Sequence, residues 1–145
     1  MALWLHNTHT GDMSYVNYNG RISAAQLLRQ MFGSYVYLIG LIGYTGTVTA
    51  SNRWYGPTIK FTLNPAIEGS VADLFHDAME QKFMLILRNN PDPQLLRLLS
   101  QEKYERFVGG SYNPTNEMRD HYVTAKLYPQ FDAIIYLELS SAIIP

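Results

Sequence analysis

Two of the four histidines of this chain stand three positions apart near its amino terminus, in the stretch ALWLHNTHTGDM at residues 2–13. His6, Asn7 and His9 follow an apolar run that predicts a buried strand, and polar side chains at the carboxyl end of such a strand are well placed to bind a ligand. Near pH 7 an imidazole can orient a substrate, transfer a proton or bind a metal ion. The structural alternative is that one histidine bonds to the backbone of its own turn while the other is solvated. Since no carboxylate accompanies the pair, the spacing alone favours the structural alternative.

Metal chemistry is the weakest alternative for this cluster. A zinc site needs three protein ligands, and only Asp12, His121 or a distant carboxylate is available as the third. The sequence contains no nucleophile elbow of the G-x-S-x-G type and no phosphate-binding glycine loop. The absence of cysteine excludes thiolate ligands and a cysteine nucleophile. The sequence therefore predicts no metal and no cofactor.

Three further side chains are candidates for substrate binding. Arg88 follows the apolar run FMLIL at residues 83–87, where a guanidinium can bind a carboxylate or an oxyanion. An ion pair between Arg88 and a neighbouring loop acid is an equally good explanation. Tyr112 is expected to line an apolar pocket, and His121 stands in a long loop from which it can reach a cleft. His76 is interpreted as a surface histidine.

Four apolar segments predict the strands that position these groups. They are ALWL at 2–5, YVYLIGL at 35–41, FMLIL at 83–87 and FDAIIYLEL at 131–139. Because these segments are apolar on both faces, they predict a mostly parallel sheet with helices on both faces. The predicted fold is a single three-layer α/β domain over residues 1–145, which is an ordinary length for one domain.

Helical spacing of apolar residues predicts three helices between these strands. They are the segments 21–33, 71–81 and 93–100. Ser23 and Ser70 are expected to cap the first two, Asp92 is expected to cap the third, and Gly33 is placed to end the first. Residues 43–66 predict a hairpin-like excursion from the sheet, with strands at 46–50 and 58–63. Residues 109–130 predict a long, partly ordered loop.

The composition limits the classes of partner. Hydrophobic residues make up 47% and charged residues only 16%, which indicates surface that another molecule or segment covers. A formal net charge of −1 without runs of one sign argues against nucleic acid. The longest apolar run, residues 35–44, is about half of the roughly 20 residues that a membrane helix needs. No signal peptide is evident, and the lack of cysteine fits a cytoplasmic protein.

The order of these segments resembles a known family. The motif W-x-H-N-x-H at residues 4–9 is the most specific piece, and FDAIIYLE at 131–138 is the next. The other matching pieces, in order, are YVYLIGL at 35–41, EGSVADLF at 68–75, FMLILR at 83–88 and VGGSYNP at 108–114. Together they resemble the carboxyl-terminal part of the erythromycin esterase-like family over essentially the whole chain.

The resemblance implies an α/β fold and, as in characterised members, hydrolysis of a macrolide lactone ester by activated water. It implies that His6 and His9 correspond to paired histidines in the active-site cleft. The family's G-E-x-x-H type motif, which bears the proposed general base, has no counterpart in these residues. Ile86 also departs from the family, where many relatives carry an aspartate, and this places a role for the neighbourhood of Arg88 in doubt.

Two hypotheses from different classes follow. The first is an esterase-like hydrolase, or a part of one, that acts on a small-molecule ester or lactone and takes its general base from an amino-terminal half outside these residues. The second is a noncatalytic binding or interaction module that retains the fold. The low charge content and the missing base favour the second, which predicts a homo-oligomer or another partner over the apolar surface.

Overall fold

The computed structural model describes residues 1–143, which form six strands and six short helices. The strands are β1 (Ile39–Ala50), β2 (Ile59–Leu63), β3 (Lys82–Ile86), β4 (Lys103–Arg106), β5 (Tyr122–Ala125) and β6 (Ala133–Ser140). The helices are α1 (Asn7–Thr10), α2 (Ala24–Phe32), α3 (Val71–His76), α4 (Pro93–Leu99), α5 (Glu117–His121) and α6 (Leu127–Gln130). Within this range no helix combines the length and the apolar character that crossing a membrane requires.

The central sheet is mixed rather than mostly parallel, and the prediction on this point is wrong. Its strand order is β2–β1–β6–β3, and only the β1–β6 pair is parallel. The β1–β2 and β3–β6 pairs are antiparallel. Apolar side chains on both faces of a strand are typical of parallel sheets, but that pattern does not fix the direction of neighbouring strands.

Strand β1 pairs with a different neighbour along each of its halves. Its first half pairs with β6 and its second half, from Gly46 to Ala50, pairs with β2 in the register Gly46 to Leu63. The predicted hairpin is therefore confirmed. The predicted strands at 83–87 and 131–139 are also confirmed, within a residue or two of β3 and β6.

One face of the sheet packs on the hydrophobic core, here called the packed face. Ile42 of β1 and Ile134 and Tyr136 of β6 are buried there against α3 residues such as Phe75. Strand residues alternate between faces, so the neighbours of these positions lie on the other side of the sheet. That side, here called the open face, exposes the large apolar side chains Ile39, Leu41, Met84, Ile86 and Leu139. The expected helical layer on both faces is not seen among the described residues.

The caps expected for three helices are present. Ser23 accepts a hydrogen bond from the backbone of Gln26 at 2.9 Å, Ser70 accepts from Asp73 at 3.2 Å, and Asp92 accepts from Gln94 and Leu95. Each side-chain oxygen satisfies an N–H group that lacks a partner within its own helix. The second helix is shorter than predicted, because it ends at His76.

The predicted strand at residues 2–5 is wrong. These residues have no regular secondary structure and pair with no strand, and the side chains of Trp4 and Leu5, expected to be buried, are 93% and 45% exposed. The edge of β1 that faces this segment instead meets the side chain of Asn7, which hydrogen-bonds to Leu41. A strand needs a neighbouring backbone, and a local apolar pattern cannot supply one.

The region predicted as a long loop contains regular structure. Its middle forms α5 and β5, and β5 pairs antiparallel with β4 in the register Glu105 to Val123. This two-stranded sheet is separate from the central one.

Candidate active site

His6 is the N-cap of α1 and is held in one orientation. Its Nδ1 accepts from the backbone of Thr8 at 3.3 Å and lies 2.9 Å from the Thr8 hydroxyl, while its Nε2 lies 2.9 Å from the carbonyl oxygen of Val108. Because a carbonyl only accepts, Nε2 carries the proton and Nδ1 is the acceptor. Burial lowers the pKa of His6, the nearby His9 lowers it further, and the Val108 hydrogen bond opposes this. His6 is thus neutral near pH 7.

His9 lies on the last turn of α1 and is exposed. One ring therefore bonds to its own turn and the other faces solvent, which is the geometry of the structural alternative. The same geometry leaves the His9 ring accessible to a bound molecule.

Asn7 joins α1 to the central sheet. Its side-chain nitrogen donates to the carbonyl of Leu41 at 2.8 Å, and its side-chain oxygen accepts from the backbone of Leu41 at 3.1 Å. The amide therefore pairs with the strand as a neighbouring backbone would. These contacts assign Asn7 to holding the turn in place.

An apolar cleft of about 1170 Å³ lies beside these residues. Its walls come from the amino-terminal segment, α2, the first half of β1 and the end of β6. His6, Asn7 and His9 line it together with open-face residues such as Leu41. Clefts of this size accept small molecules, which orient on a few polar groups within an apolar lining.

Arg88 does not line this cleft. Its guanidinium donates to both carboxylate oxygens of Asp132 at 2.8 Å and also to the carbonyls of Ser34 and Val36. Asp132 also accepts from Arg29 at 2.7 Å and from the backbone of Leu38 at 2.6 Å. The geometry is that of the ion pair considered as the alternative for Arg88.

Tyr112 and His121 lie together, away from the cleft. The hydroxyl of Tyr112 donates to Glu117 at 2.9 Å, and burial raises the pKa of Tyr112 to about 12. The Nε2 of His121 accepts from the backbone of Asn113 at 2.9 Å, so its Nδ1 donates to the carbonyl of Phe107 at 3.1 Å. Both side chains are buried and hold the segment after β4 in place.

Two buried groups near the site were not anticipated from the sequence. Arg106 lines the cleft, pairs with Glu117 at 3.0 Å and donates to the carbonyls of Gly43 and Tyr44. Glu105 is 2% exposed, and burial raises its pKa to about 7, an effect that the side-chain amides of Gln130 and Asn7 oppose. The segment KYER carries no local signal that marks one of its charged residues as buried.

Among residues 1–143, no group of three or more histidine, aspartate and glutamate side chains is arranged to hold a metal ion.

Comparison with known proteins gives the chain a family context. A family model described as erythromycin esterase matches residues 1–140. Among solved structures, a Bacillus cereus protein superimposes with a TM-score of 0.78 at 19% identity, over 94% of this chain and 32% of that chain. A succinoglycan biosynthesis protein gives a TM-score of 0.71 at 20% identity, over 95% and 32% of the two chains.

A third solved structure is a histidine-to-asparagine mutant of the erythromycin esterase EreC in its open conformation. It gives a TM-score of 0.55 at 16% identity, over 91% of this chain and 30% of that chain. Such identities establish likeness of fold only. The chain spans about a third of the length of each of these three proteins.

Proposed function

The chain belongs to the erythromycin esterase family, and from that premise we propose that it forms the histidine-bearing wall of an ester hydrolase cleft. The reaction is hydrolysis of a lactone or other ester by activated water. The observation that carries the proposal is that His6 and His9 of the W-x-H-N-x-H motif both line one apolar cleft of about 1170 Å³. An apolar cleft with a few polar groups suits a large, weakly polar ester.

The two histidines have different parts in this proposal. The Nε2 proton of His6 is already donated to Val108, so His6 fixes the turn and stays neutral. The exposed His9 is the imidazole that can meet the ester oxygen or its attacking water. A neutral or protonated imidazole at that position either assists the water or donates to the developing oxyanion.

The general base is placed outside these residues. Water attack needs a group that takes a proton, and no exposed carboxylate lines the cleft among the residues described. The solved relatives carry about two thirds of their length outside the part that this chain matches, which leaves ample chain for such a group.

The proposal is tested by following lactone opening of a macrolide with the chain alone and with the amino-terminal part of a family member added in trans. We expect turnover only in the combination, and its loss in His9→Ala. His76→Ala is the matched control, because His76 is exposed and stands outside the cleft. Activity of the isolated chain that survives both His6→Ala and His9→Ala contradicts the role given to the pair.

A second candidate is a noncatalytic binding module that keeps the fold. The open face favours it, because five large apolar side chains stand exposed on one side of the central sheet. This candidate predicts self-association at high protein concentration, measurable by analytical ultracentrifugation. A monomer that also hydrolyses esters rules it out.

A further inference from the structure

A buried polar pair lies beneath α1. Glu105 is 2% exposed and Gln130 is fully buried. Among the described residues, neither carboxyl oxygen of Glu105 and neither side-chain polar atom of Gln130 makes a hydrogen bond of standard geometry. Buried polar atoms are nearly always paired, so a cluster of four such atoms calls for a functional explanation.

Both ends of α1, here called the histidine turn, lie near this pair, and at its start the Asn7 amide acts on the Glu105 carboxyl. Glu105 and Phe107 lie on the same side of β4 and its continuation, because strand side chains alternate. The Phe107 ring meets the His6 ring edge-on, with centroids 6.0 Å apart. At the other end of the turn, the backbone of Gly11 approaches the Gln130 amide so closely that a Cβ there would lie 2.8 Å from its Nε2. The Glu105 and Gln130 side chains therefore lie beneath α1.

The groups that act directly on the Glu105 carboxyl are neutral. They are the side-chain amides of Gln130 and of Asn7, and the Asn7 amide also bonds to Leu41. The titratable or charged residues on β4, on the elements that contact it, on α6 with its cap and on α1 with its flanking residues are His6, His9, Asp12, Asp73, His76, Lys103, Tyr104, Arg106, Tyr122, Lys126 and Tyr128. Of these, His6, Asp12 and Arg106 make hydrogen bonds elsewhere.

We infer that Glu105 is a positioning residue for the histidine turn, and that it holds the turn in two arrangements according to whether its carboxyl carries a proton. In the neutral arrangement the carboxyl O–H donates to Gln130 Oε1. When that proton passes to solvent, the Gln130 amide rotates and its Nε2 donates to the carboxylate, as does Asn7 Nδ2. The neutral carboxyl uses the Gln130 oxygen as its acceptor, and the carboxylate uses the Gln130 nitrogen as its donor. Rotation of the amide group exchanges the positions of this oxygen and this nitrogen.

Rotation of the Gln130 amide affects the turn that carries His9, because the Glu105 and Gln130 pair lies beneath that turn. Asn7 begins α1 and Gly11 follows its end, so rotation of the Gln130 amide and a new bond to Asn7 act on both ends of the turn that carries His9. Burial raises the pKa of Glu105 to about 7, which lets both arrangements be populated near neutral pH. The inference rests on the proposed function only in taking His9 as a group that meets the substrate.

Nuclear magnetic resonance on the intact chain tests the inference without any substrate. We expect the side-chain amide signals of Asn7 to show an inflection near pH 7 in a titration from about pH 5 to about pH 9, because Asn7 carries no titrating proton of its own. The inflection is lost in Glu105→Gln and kept in the matched control Glu102→Gln, since Glu102 is an exposed glutamate just before β4. Identical titration curves for Glu105→Gln and the unmodified chain overturn the inference.

A second measurement covers the case in which Glu105→Gln does not fold. In the unmodified chain, the carboxyl carbon of Glu105 and the side-chain amide of Asn7 must titrate with one shared midpoint. Different midpoints, or an Asn7 amide that does not respond to pH, overturn the inference. Because no hydrolysis is measured, failure of the proposed esterase function leaves these outcomes unaffected, and failure here leaves the esterase proposal standing.

Discussion

The Nε2 of His6 donates to the carbonyl of Val108 at 2.9 Å, although the two residues are 102 positions apart in the chain. This single contact joins the first turn of the protein to the segment that follows β4. It also fixes the tautomer of His6, so that the ring supports the site rather than moving a proton from Nε2. His6 and Val108 both line the cleft, so this contact joins two parts of its lining.

Replacing His6 with alanine removes that contact and leaves the Val108 carbonyl without its partner. We expect His6→Ala to lower the free energy of unfolding by about 1 to 3 kcal/mol, the usual cost of such a loss. His9→Ala, at an exposed position, should change it by less than about 0.5 kcal/mol. Urea denaturation followed by circular dichroism measures both. Equal effects of the two variants contradict a supporting role for His6.

The raised pKa of the Glu105 carboxyl predicts that the stability of the fold depends on pH. Its pKa is raised in the folded state from 4.5 to about 7, so its contribution is fully present below pH 4.5 and is lost as the pH rises through 7. A pKa shift of this size corresponds to about 3 kcal/mol in the free energy of unfolding. We therefore expect Glu105→Gln to be more stable than the unmodified chain at pH 8. At pH 5 we expect a smaller difference in stability between the two.

Urea denaturation at several pH values, with Glu102→Gln as the control, measures this difference. Comparing variants separates Glu105 from His6, whose lowered pKa acts in the opposite direction by removing stability as the pH falls. A stability difference that does not change between pH 5 and pH 8 shows that the Glu105 carboxyl does not titrate in this window.

Replacing Arg88 tests whether its side chain forms a structural ion pair or binds substrate. Its bidentate contact with the buried Asp132 predicts that Arg88→Ala destabilises the fold by about 3 to 5 kcal/mol, because a buried carboxylate loses a partner. Arg97→Ala, at an exposed position on α4, should have almost no effect. Thermal unfolding measures both. An Arg88→Ala variant of normal stability that loses substrate affinity supports the substrate-binding alternative instead.

Gly11 is required where the end of α1 meets the core. A Cβ there would lie 2.8 Å from Gln130 Nε2 and 2.9 Å from Phe131 Cζ, both in buried side chains. We expect Gly11→Ala to cost about 1 to 3 kcal/mol through overpacking. Gly109→Ala is the control, since nothing lies within 4 Å of its added methyl group. Chemical denaturation of the two variants measures the difference, and equal stabilities contradict the close packing at Gly11.

The amino-acid sequence by itself determined the local elements and the family. The caps at Ser23 and Asp92 and the turn residues of the β1–β2 hairpin involve positions close in the chain, so their hydrogen bonds leave a readable pattern. The W-x-H-N-x-H motif likewise points to the erythromycin esterase family, because a motif of six consecutive positions is legible from residue order alone.

Only the tertiary structure decided which partners meet across the chain. It left residues 2–5 unpaired, made β3 antiparallel to β6 and brought Val108 to His6. It also buried Glu105 while leaving the apolar Trp4 in solvent, the reverse of what their side chains favour alone. Strand direction and burial depend on contacts between residues far apart in sequence, and no local periodicity encodes such contacts.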